Sequence, residues 1–103
     1  MAIRVCVAGA TGWTGSAIAG ALLASNDVQL VSAIARRQAG VDIGVALGGA
    51  EVGVTIVPSL DEALAAPADV LIDYTGPESV KARILAALDA GLRVVVGTSG
   101  ARL

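Results

Sequence analysis

The sequence predicts an α/β fold, a doubly wound parallel sheet of about five strands with helices on both faces. Short apolar runs rich in β-branched residues alternate with segments of helical composition along the 103 residues. Such alternation implies parallel strands joined by right-handed crossovers, with the expected strand order 3-2-1-4-5. The first apolar run, residues 3–8, leads into a turn with glycines at positions 9, 12 and 15, as in Rossmann-like folds. The length suits one domain or a piece of one.

The strands are predicted from apolar runs bounded by glycine or polar residues. Residues 3–8 are almost continuously apolar, as expected for a strand covered on both faces. Further strands are predicted at residues 28–34, 52–57, 69–73 and 93–96. Cys6 is the only cysteine and lies within the first strand, so we expect a buried apolar thiol and no internal disulfide.

The helices are predicted from their ends and from the spacing of their apolar residues. Ser59 followed by Glu62 fits a capping box, Pro77 suits a first helical turn, and Gly91 is placed to end a helix. The predicted helices cover residues 16–25, one turn at 43–47, a short segment from 59 to about 67, and 77 to about 90. One face of the last helix is expected to carry Val80, Ile84, Ala87 and Leu88.

Composition excludes several classes of protein. Hydrophobic residues make up 55% of the chain, yet no apolar stretch approaches the roughly 18 residues of a membrane helix. The start of the chain enters a strand directly, so no signal peptide is expected. The net charge is −2, and Arg36-Arg37 is the only basic cluster, which argues against a nucleic-acid surface. We therefore expect a soluble cytoplasmic domain with a small-molecule partner, no nucleic-acid or membrane partner, and homo-oligomerisation left open.

The glycine turn is the strongest functional signal. Gly9, Gly12 and Gly15 follow a strand and precede a helix in the spacing Gly-x-x-Gly-x-x-Gly. Glycine lets backbone N–H groups approach an anion closely, and a helix start offers unpaired N–H groups and the positive end of its dipole. The turn therefore favours binding of a dinucleotide pyrophosphate. The alternative is a tight strand-to-helix turn that binds nothing.

The end of the second strand indicates which dinucleotide is preferred. An NAD-specific domain usually has Asp or Glu about 20 residues past the glycines, where it holds the adenosine ribose. This chain has Ala35-Arg36-Arg37 there and no acidic residue before Asp42. A guanidinium pairs with a 2′-phosphate that a carboxylate would repel. The sequence therefore favours NADPH, with NADH still open, and the alternative is a pair of solvated arginines.

Three motifs, each placed after its own strand, carry a resemblance that covers nearly the whole chain. Residues 7–15 read Val-Ala-Gly-Ala-Thr-Gly-Trp-Thr-Gly, residues 73–78 read Asp-Tyr-Thr-Gly-Pro-Glu, and residues 94–100 read Val-Val-Val-Gly-Thr-Ser-Gly. Together they resemble the N-terminal domain of dihydrodipicolinate reductase, now called 4-hydroxy-tetrahydrodipicolinate reductase. That family typically has a Gly-Arg-Met-Gly turn, an Asp-Phe-Thr-x-Pro stretch and a Gly-Thr-Thr-Gly loop. Trp13-Thr14 replaces Arg-Met, a difference expected to bear on the phosphate contacts, whereas Tyr74 for Phe and Ser99 for Thr are conservative.

The resemblance implies a reductase of the diaminopimelate route to lysine, which delivers hydride from a nicotinamide cofactor to a cyclic imine dicarboxylate. By this likeness the pyrophosphate would be held by Gly9, Ala10, Thr11, Gly12, Trp13 and Thr14. Arg36, with Arg37 beside it, would hold the adenosine ribose phosphate. The nicotinamide half would lie along Tyr74, Thr75, Gly97, Thr98 and Ser99. The alternatives are that the two threonine hydroxyls only cap turns and that the tyrosine covers the core.

No catalytic residue is predicted within this chain. By the same resemblance, the histidine pair and the lysine that serve the substrate would belong to a second domain beyond Leu103. The chain has no histidine, and Lys81 is expected to be solvated on a helix. Two other functions stay open, namely a dinucleotide-binding module without chemistry and the first domain of a related amino-acid dehydrogenase, such as a diaminopentanoate or homoserine dehydrogenase relative.

Overall fold

A computed structural model of the chain describes residues 2–75 and 77–97 and confirms the predicted architecture. All strand pairs are parallel, in the order β3-β2-β1-β4-β5. The elements in chain order are β1 (Ile3–Ala8), α1 (Trp13–Ala24), β2 (Val28–Ile34), α2 (Ile43–Ala46), β3 (Ile56–Val57), α3 (Leu60–Ala63), β4 (Val70–Asp73), α4 (Pro77–Asp89) and β5 (Arg93–Val96). Within the described residues, no helix has the length and apolar character needed to cross a membrane.

The central strand β1 is buried on both faces from Val5 to Ala8, because successive side chains alternate between two apolar cores. Val5 and Val7 pack in the core that contains Ala19 of α1. Cys6 and Ala8 pack in the opposite core, which contains residues of α3 and α4. Cys6 is fully buried, as predicted, and this burial raises the pKa of its thiol. The thiolate, which is the nucleophilic form, is therefore disfavoured at this position.

Two predicted helix ends are confirmed. Ser59 is the N-cap of α3, and its hydroxyl accepts a hydrogen bond from the N–H of Glu62 at 3.3 Å. Gly91 follows α4 with φ +88°, a conformation that glycine adopts at little cost. The N–H of Gly91 donates to the carbonyl of Leu88, and that of Leu92 donates to the carbonyl of Ala87, each at 3.0 Å. This pattern is a Schellman motif.

Three details of the helices differ from the predictions. Helix α1 begins at Trp13, three residues before the predicted start, because Gly12 occupies the N-cap position with φ −75° and ψ 171°. Helix α3 ends at Ala63, well before Pro67. Leu88, which was expected on the buried face of α4, is 54% exposed. That helix buries Ala87 and half-buries Val80, Arg83 and Ile84, a narrower stripe than the predicted one.

The third strand is shorter than predicted because one carboxylate organises the segment before it. Asp42 Oδ1 accepts hydrogen bonds from the N–H groups of Gly44 at 2.8 Å, Val45 at 3.4 Å and Val52 at 3.0 Å. Its Oδ2 accepts from Gly53 at 2.8 Å and Val54 at 3.1 Å. These N–H groups are directed at the carboxylate, so β3 pairs with β2 only through Ile56 and Val57.

We expect Asp42→Asn to lower the melting temperature at neutral pH and to flatten its acid dependence. Burial opposes ionisation of Asp42, but hydrogen bonds from Val52, Gly53, Gly44 and Val45 outweigh it and hold the pKa below its usual value. The resulting stabilisation is present above about pH 4, near the pKa of an unfolded aspartate, and is lost as pH falls through the lower folded pKa. Thermal melts from about pH 3 to about pH 7 measure this contribution.

Asp27→Asn is the matched control for this experiment. Asp27 is exposed, and its carboxylate makes no hydrogen bond within the part of the chain that the structure describes. Identical melting behaviour of the two variants across the pH range would contradict the role assigned to Asp42.

Candidate functional site

The loops that carry the predicted site residues meet at one edge of the sheet. Strands β1, β2, β4 and β5 are parallel, so the turns that follow Ala8, Ile34, Asp73 and Val96 all lie at their carboxyl ends. This edge is where open α/β sheets bind ligands. The predicted residues Gly9–Thr14, Arg36–Arg37, Tyr74–Thr75 and Gly97 are therefore brought to one side of the molecule. Thr98 and Ser99 lie outside the described residues.

The turn after β1 is fixed to the neighbouring strands. The N–H groups of Gly9 and Ala10 both donate to the carbonyl of Ile34, at 2.8 and 3.1 Å. Gly9 has φ +81°, and a Cβ on it would lie 2.7 Å from the carbonyl oxygen of Tyr74. Only glycine fits both the backbone conformation and this close approach. These two predicted residues shape the turn, and their N–H groups are already engaged within the fold.

The first turn of α1 presents unpaired N–H groups. Within the described residues, the N–H groups of Thr11, Trp13, Thr14 and Gly15 have no hydrogen-bond acceptor. Gly12 has no side chain that could cap the helix, and the first turn contains no acidic residue. A helix start normally satisfies such groups with a capping side chain, water or a ligand. The uncapped start of this 12-residue helix is therefore suited to an anion.

Gly12 and Gly15 differ in how closely they approach the turn. A Cβ on Gly12 would meet only the carbonyl oxygen of Gly9, at 3.3 Å, and Gly12 does not have a positive φ. A Cβ on Gly15 would overlap that same oxygen and lie 2.7 Å from the carbonyl carbon of Gly9. Gly15 is buried against the turn, whereas Gly12 is exposed. The start of α1 therefore lies directly against the turn, with Trp13 and Thr14, whose N–H groups are free, at the exposed edge.

Trp13 is exposed at this edge. Its backbone opens α1, where its carbonyl accepts a hydrogen bond from the Ser16 hydroxyl at 2.9 Å. Its side chain is 95% exposed and contributes nothing to either core. A tryptophan so exposed is uncommon in a folded domain, since its ring is among the largest apolar groups. Trp13 is the only tryptophan, so its fluorescence reports on the surroundings of the helix start.

Arg36 and Arg37 follow β2 and are both exposed. The residue before them, Ala35, is buried and donates its N–H to the carbonyl of Val57 at 3.0 Å, which fixes the start of the loop. Neither arginine forms an ion pair with another residue of the described ranges. The edge of the site beside β2 therefore carries two solvated positive charges.

Tyr74 links the turn after β1 to the end of β5. Its N–H donates to the carbonyl of Ala8 at 2.9 Å, and its own carbonyl faces Gly9. Its ring lies against Gly97, where a Cβ would be 2.6 Å from both Cε1 and Cζ and 2.8 Å from the hydroxyl oxygen. Gly97 is held in turn by a hydrogen bond from its N–H to the carbonyl of Asp73 at 2.9 Å. These contacts bring three of the predicted loops together.

A buried network behind this edge was missed by the sequence analysis. Asp73 Oδ1 accepts hydrogen bonds from the Thr75 N–H at 3.0 Å and the Thr75 hydroxyl at 2.6 Å. Asp73 Oδ2 is 3.1 Å from Nη1 of Arg83, which also donates to the Thr75 hydroxyl oxygen at 2.9 Å. Arg83 stands three residues after Val80 and four before Ala87, a spacing that places it on the buried stripe of α4. From this spacing, burial of Arg83 could have been predicted.

Comparison with known proteins establishes the family. Residues 3–102 match the family described as "Dihydrodipicolinate reductase, N-terminus". The chain belongs to this family. It is a dinucleotide-binding domain of the dihydrodipicolinate reductase type, as the resemblance implied.

The relatives of this dihydrodipicolinate reductase domain are longer proteins. A 4-hydroxy-tetrahydrodipicolinate reductase from Burkholderia lata is 42% identical over 101 residues, which cover 95% of this chain and 37% of the relative. The solved dipicolinate-bound dihydrodipicolinate reductase of Paenisporosarcina sp. TG-14 matches with a TM-score of 0.78 and 25% identity, over 99% of this chain and 39% of that one. The chain thus spans about two fifths of these proteins.

A second solved structure extends the likeness beyond one enzyme. An amine dehydrogenase from Mycobacterium smegmatis matches with a TM-score of 0.75 and 26% identity, over 91% of this chain and 29% of that chain. The same type of domain therefore occurs in another enzyme of different name, and the substrate is not fixed by the fold.

Proposed function

We propose that this dihydrodipicolinate reductase domain binds a nicotinamide dinucleotide across the carboxyl edge of its sheet and prefers NADPH. The observation that carries the proposal is the uncapped first turn of α1, which lies against the turn after β1 with its N–H groups unpaired among the described residues. A pyrophosphate supplies the acceptors that this helix start lacks.

The pyrophosphate would be bound mainly by backbone groups. The available donors are the N–H groups of Thr11, Trp13, Thr14 and Gly15. Gly9 and Ala10 contribute by fixing the turn, and Gly12 by leaving its surface free of a side chain. Each favourable interaction of an anion with a helix start is typically worth about 0.3–1 kcal/mol, and up to about 2 kcal/mol in partly buried geometry.

The two ends of the dinucleotide would extend to either side of this turn. Arg36 and Arg37, both exposed at the end of β2, suit an adenosine 2′-phosphate. Tyr74, Thr75 and Gly97, after β4 and β5, would border the nicotinamide, and Thr98 and Ser99 remain predicted contacts on the same side. The cofactor, when bound, supplies the hydride, and the role proposed for these residues is to hold and orient it.

The preference for NADPH should depend on the two arginines. In a titration of the chain, followed by Trp13 fluorescence, we expect NADPH to bind about tenfold more tightly than NADH, since charge-assisted hydrogen bonds contribute roughly 1.5–3 kcal/mol. Exposure of the arginines reduces this energy, and added salt should reduce it further. The double variant Arg36→Ala/Arg37→Ala should lose the preference while NADH affinity stays nearly unchanged.

Arg93→Ala is the control for a change of surface charge. Arg93 is also exposed, but it begins β5 and so lies at the opposite, amino edge of the sheet. This variant should keep the NADPH preference. Equal affinities of the parent chain for the two cofactors would contradict the proposed role of Arg36 and Arg37, and absence of binding of either would contradict the proposed function.

The reaction we propose for the longer protein that contains such a domain is reduction of a cyclic imine dicarboxylate in the diaminopimelate route. The family match and the reductase relatives support it. The likeness to an amine dehydrogenase favours, as a second candidate, the cofactor domain of a related dehydrogenase. Both candidates assign the same role to this chain, and activity with a cyclic imine or an amine substrate in the longer protein distinguishes them.

A further inference from the structure

We infer that Arg83 is a positioning residue for the nicotinamide end of the cofactor, acting through Asp73 and Thr75 on the loop after β4. This inference rests on the proposed function and assigns a role to a residue outside the predicted site. Its basis is the geometry of the Asp73, Thr75 and Arg83 side chains, which form hydrogen bonds with one another behind the loop.

The innermost of these groups is the carboxylate of Asp73. It is fully buried at the end of β4 and accepts hydrogen bonds from the N–H and hydroxyl of Thr75 and from Arg83. The Arg83 side chain is only 17% exposed. A buried charge needs such partners, because an unpaired carboxylate in this position would be strongly unfavourable. The pair therefore has one well-defined arrangement.

The hydroxyl proton of Thr75 is committed to this arrangement. Because an ionised carboxylate only accepts, the 2.6 Å contact with Asp73 uses the hydroxyl proton. The same oxygen accepts from Nη1 of Arg83 at 2.9 Å. In this state the hydroxyl has no proton left to donate to a nicotinamide carboxamide. Thr75 therefore offers the cofactor a fixed backbone position and no hydroxyl donor, and Arg83 supplies one of the contacts that fix it.

The same backbone carries Tyr74, whose N–H is also held by the carbonyl of Ala8. Tyr74 stands between Asp73 and Thr75, with its carbonyl facing Gly9 and its ring against Gly97. The turn that holds the pyrophosphate has its own anchors, since the N–H groups of Gly9 and Ala10 both donate to the carbonyl of Ile34. Loss of the Arg83 contacts should therefore disturb the nicotinamide side and leave the pyrophosphate and adenosine side in place.

The experiment measures the affinities of two ligands, NADPH and adenosine 2′,5′-bisphosphate. The bisphosphate lacks the nicotinamide half of the cofactor. For Arg83→Met we expect NADPH affinity to fall about tenfold, the order lost with a charge-assisted contact, while the bisphosphate changes by less than about twofold. Arg83→Lys, which keeps a positive charge beside Asp73, should recover part of the loss. Lys81→Met is the matched control on the exposed side of α4 and should bind both probes like the parent.

Each possible result either supports or overturns the positioning role of Arg83. If Arg83→Met does not fold, Arg83→Lys carries the test, and NADPH must weaken more than the bisphosphate. Equal losses for both probes would mean that Arg83 only stabilises the fold, and unchanged affinity for both would mean that it positions nothing. Either result overturns the inference and leaves the proposed function standing. Failure of the parent chain to bind either probe overturns both.

Discussion

Replacing Gly15 with alanine is expected to lower the melting temperature of the chain by roughly 10–20 °C. A Cβ at this position would overlap the carbonyl oxygen of Gly9, and no side-chain rotation can relieve a clash with backbone. Overpacking of a buried site costs about 1–3 kcal/mol, and each kcal/mol shifts the melting temperature of a domain of this size by about 4–8 °C. Because both partners are fixed, we expect the upper part of that range.

Gly20→Ala provides the control in the same helix. Gly20 lies within α1, and a Cβ there would meet nothing within 4 Å. Alanine in a helix interior is favoured over glycine by about 0.5–1 kcal/mol, so this variant should melt at a higher temperature than the parent. The same substitution five residues apart thus has opposite effects. Similar melting temperatures for the two variants would contradict the close packing of α1 on the turn.

The second large expected effect is a loss of catalytic turnover in the isolated chain. We expect the isolated chain to bind NADPH without reducing the imine. Holding donor and acceptor in reacting geometry is worth up to roughly 7–11 kcal/mol of the barrier, and the described residues supply groups for only the cofactor half. The chain has no histidine to serve as an acid near neutral pH. Arg36 and Arg37 lie at the proposed adenosine end, and Arg83 is paired with Asp73.

The assay for this prediction is NADPH oxidation with freshly generated substrate. The chain alone is compared with a fusion to the remaining part of the Burkholderia lata relative, which this chain does not cover. The fusion should turn over, whereas the chain alone should show only the decrease in fluorescence that accompanies binding. Turnover by the chain alone at a rate comparable to that of the fusion would defeat the prediction.

The strands were predicted best where the sequence alone determines burial. Strands β1, β2 and β5 match their predictions to the residue. Strands β1 and β5 end directly before a glycine, and β2 ends in an apolar run before the Arg36-Arg37 pair. The third strand was predicted too long because Val52 and Val54 look like strand residues locally. In the structure their N–H groups bind Asp42, ten or more residues away. A contact of this kind has no signature in local composition.

The site was predicted less completely than the fold. The placement of the glycine turn and the arginines at one edge could be predicted because each follows a strand, and strand order then brings them to the same side. The engagement of the Gly9 and Ala10 N–H groups with Ile34 could not be found, since it depends on the register of β1 and β2. Arg83 was given no role by the sequence, although its spacing from Val80 and Ala87 places it on the buried stripe of α4, next to Asp73.

The contact between the Tyr74 ring and Gly97 restricts how this edge can change during evolution. Any side chain at position 97 would occupy the space of the ring, so a larger residue there requires a smaller one at position 74. A phenylalanine at 74 keeps the ring and removes only the hydroxyl, which agrees with the family pattern. Gly9 faces only the backbone carbonyl of Tyr74, which every residue carries, so glycine is expected at position 9 whatever stands at position 74, and only residues 74 and 97 are expected to covary.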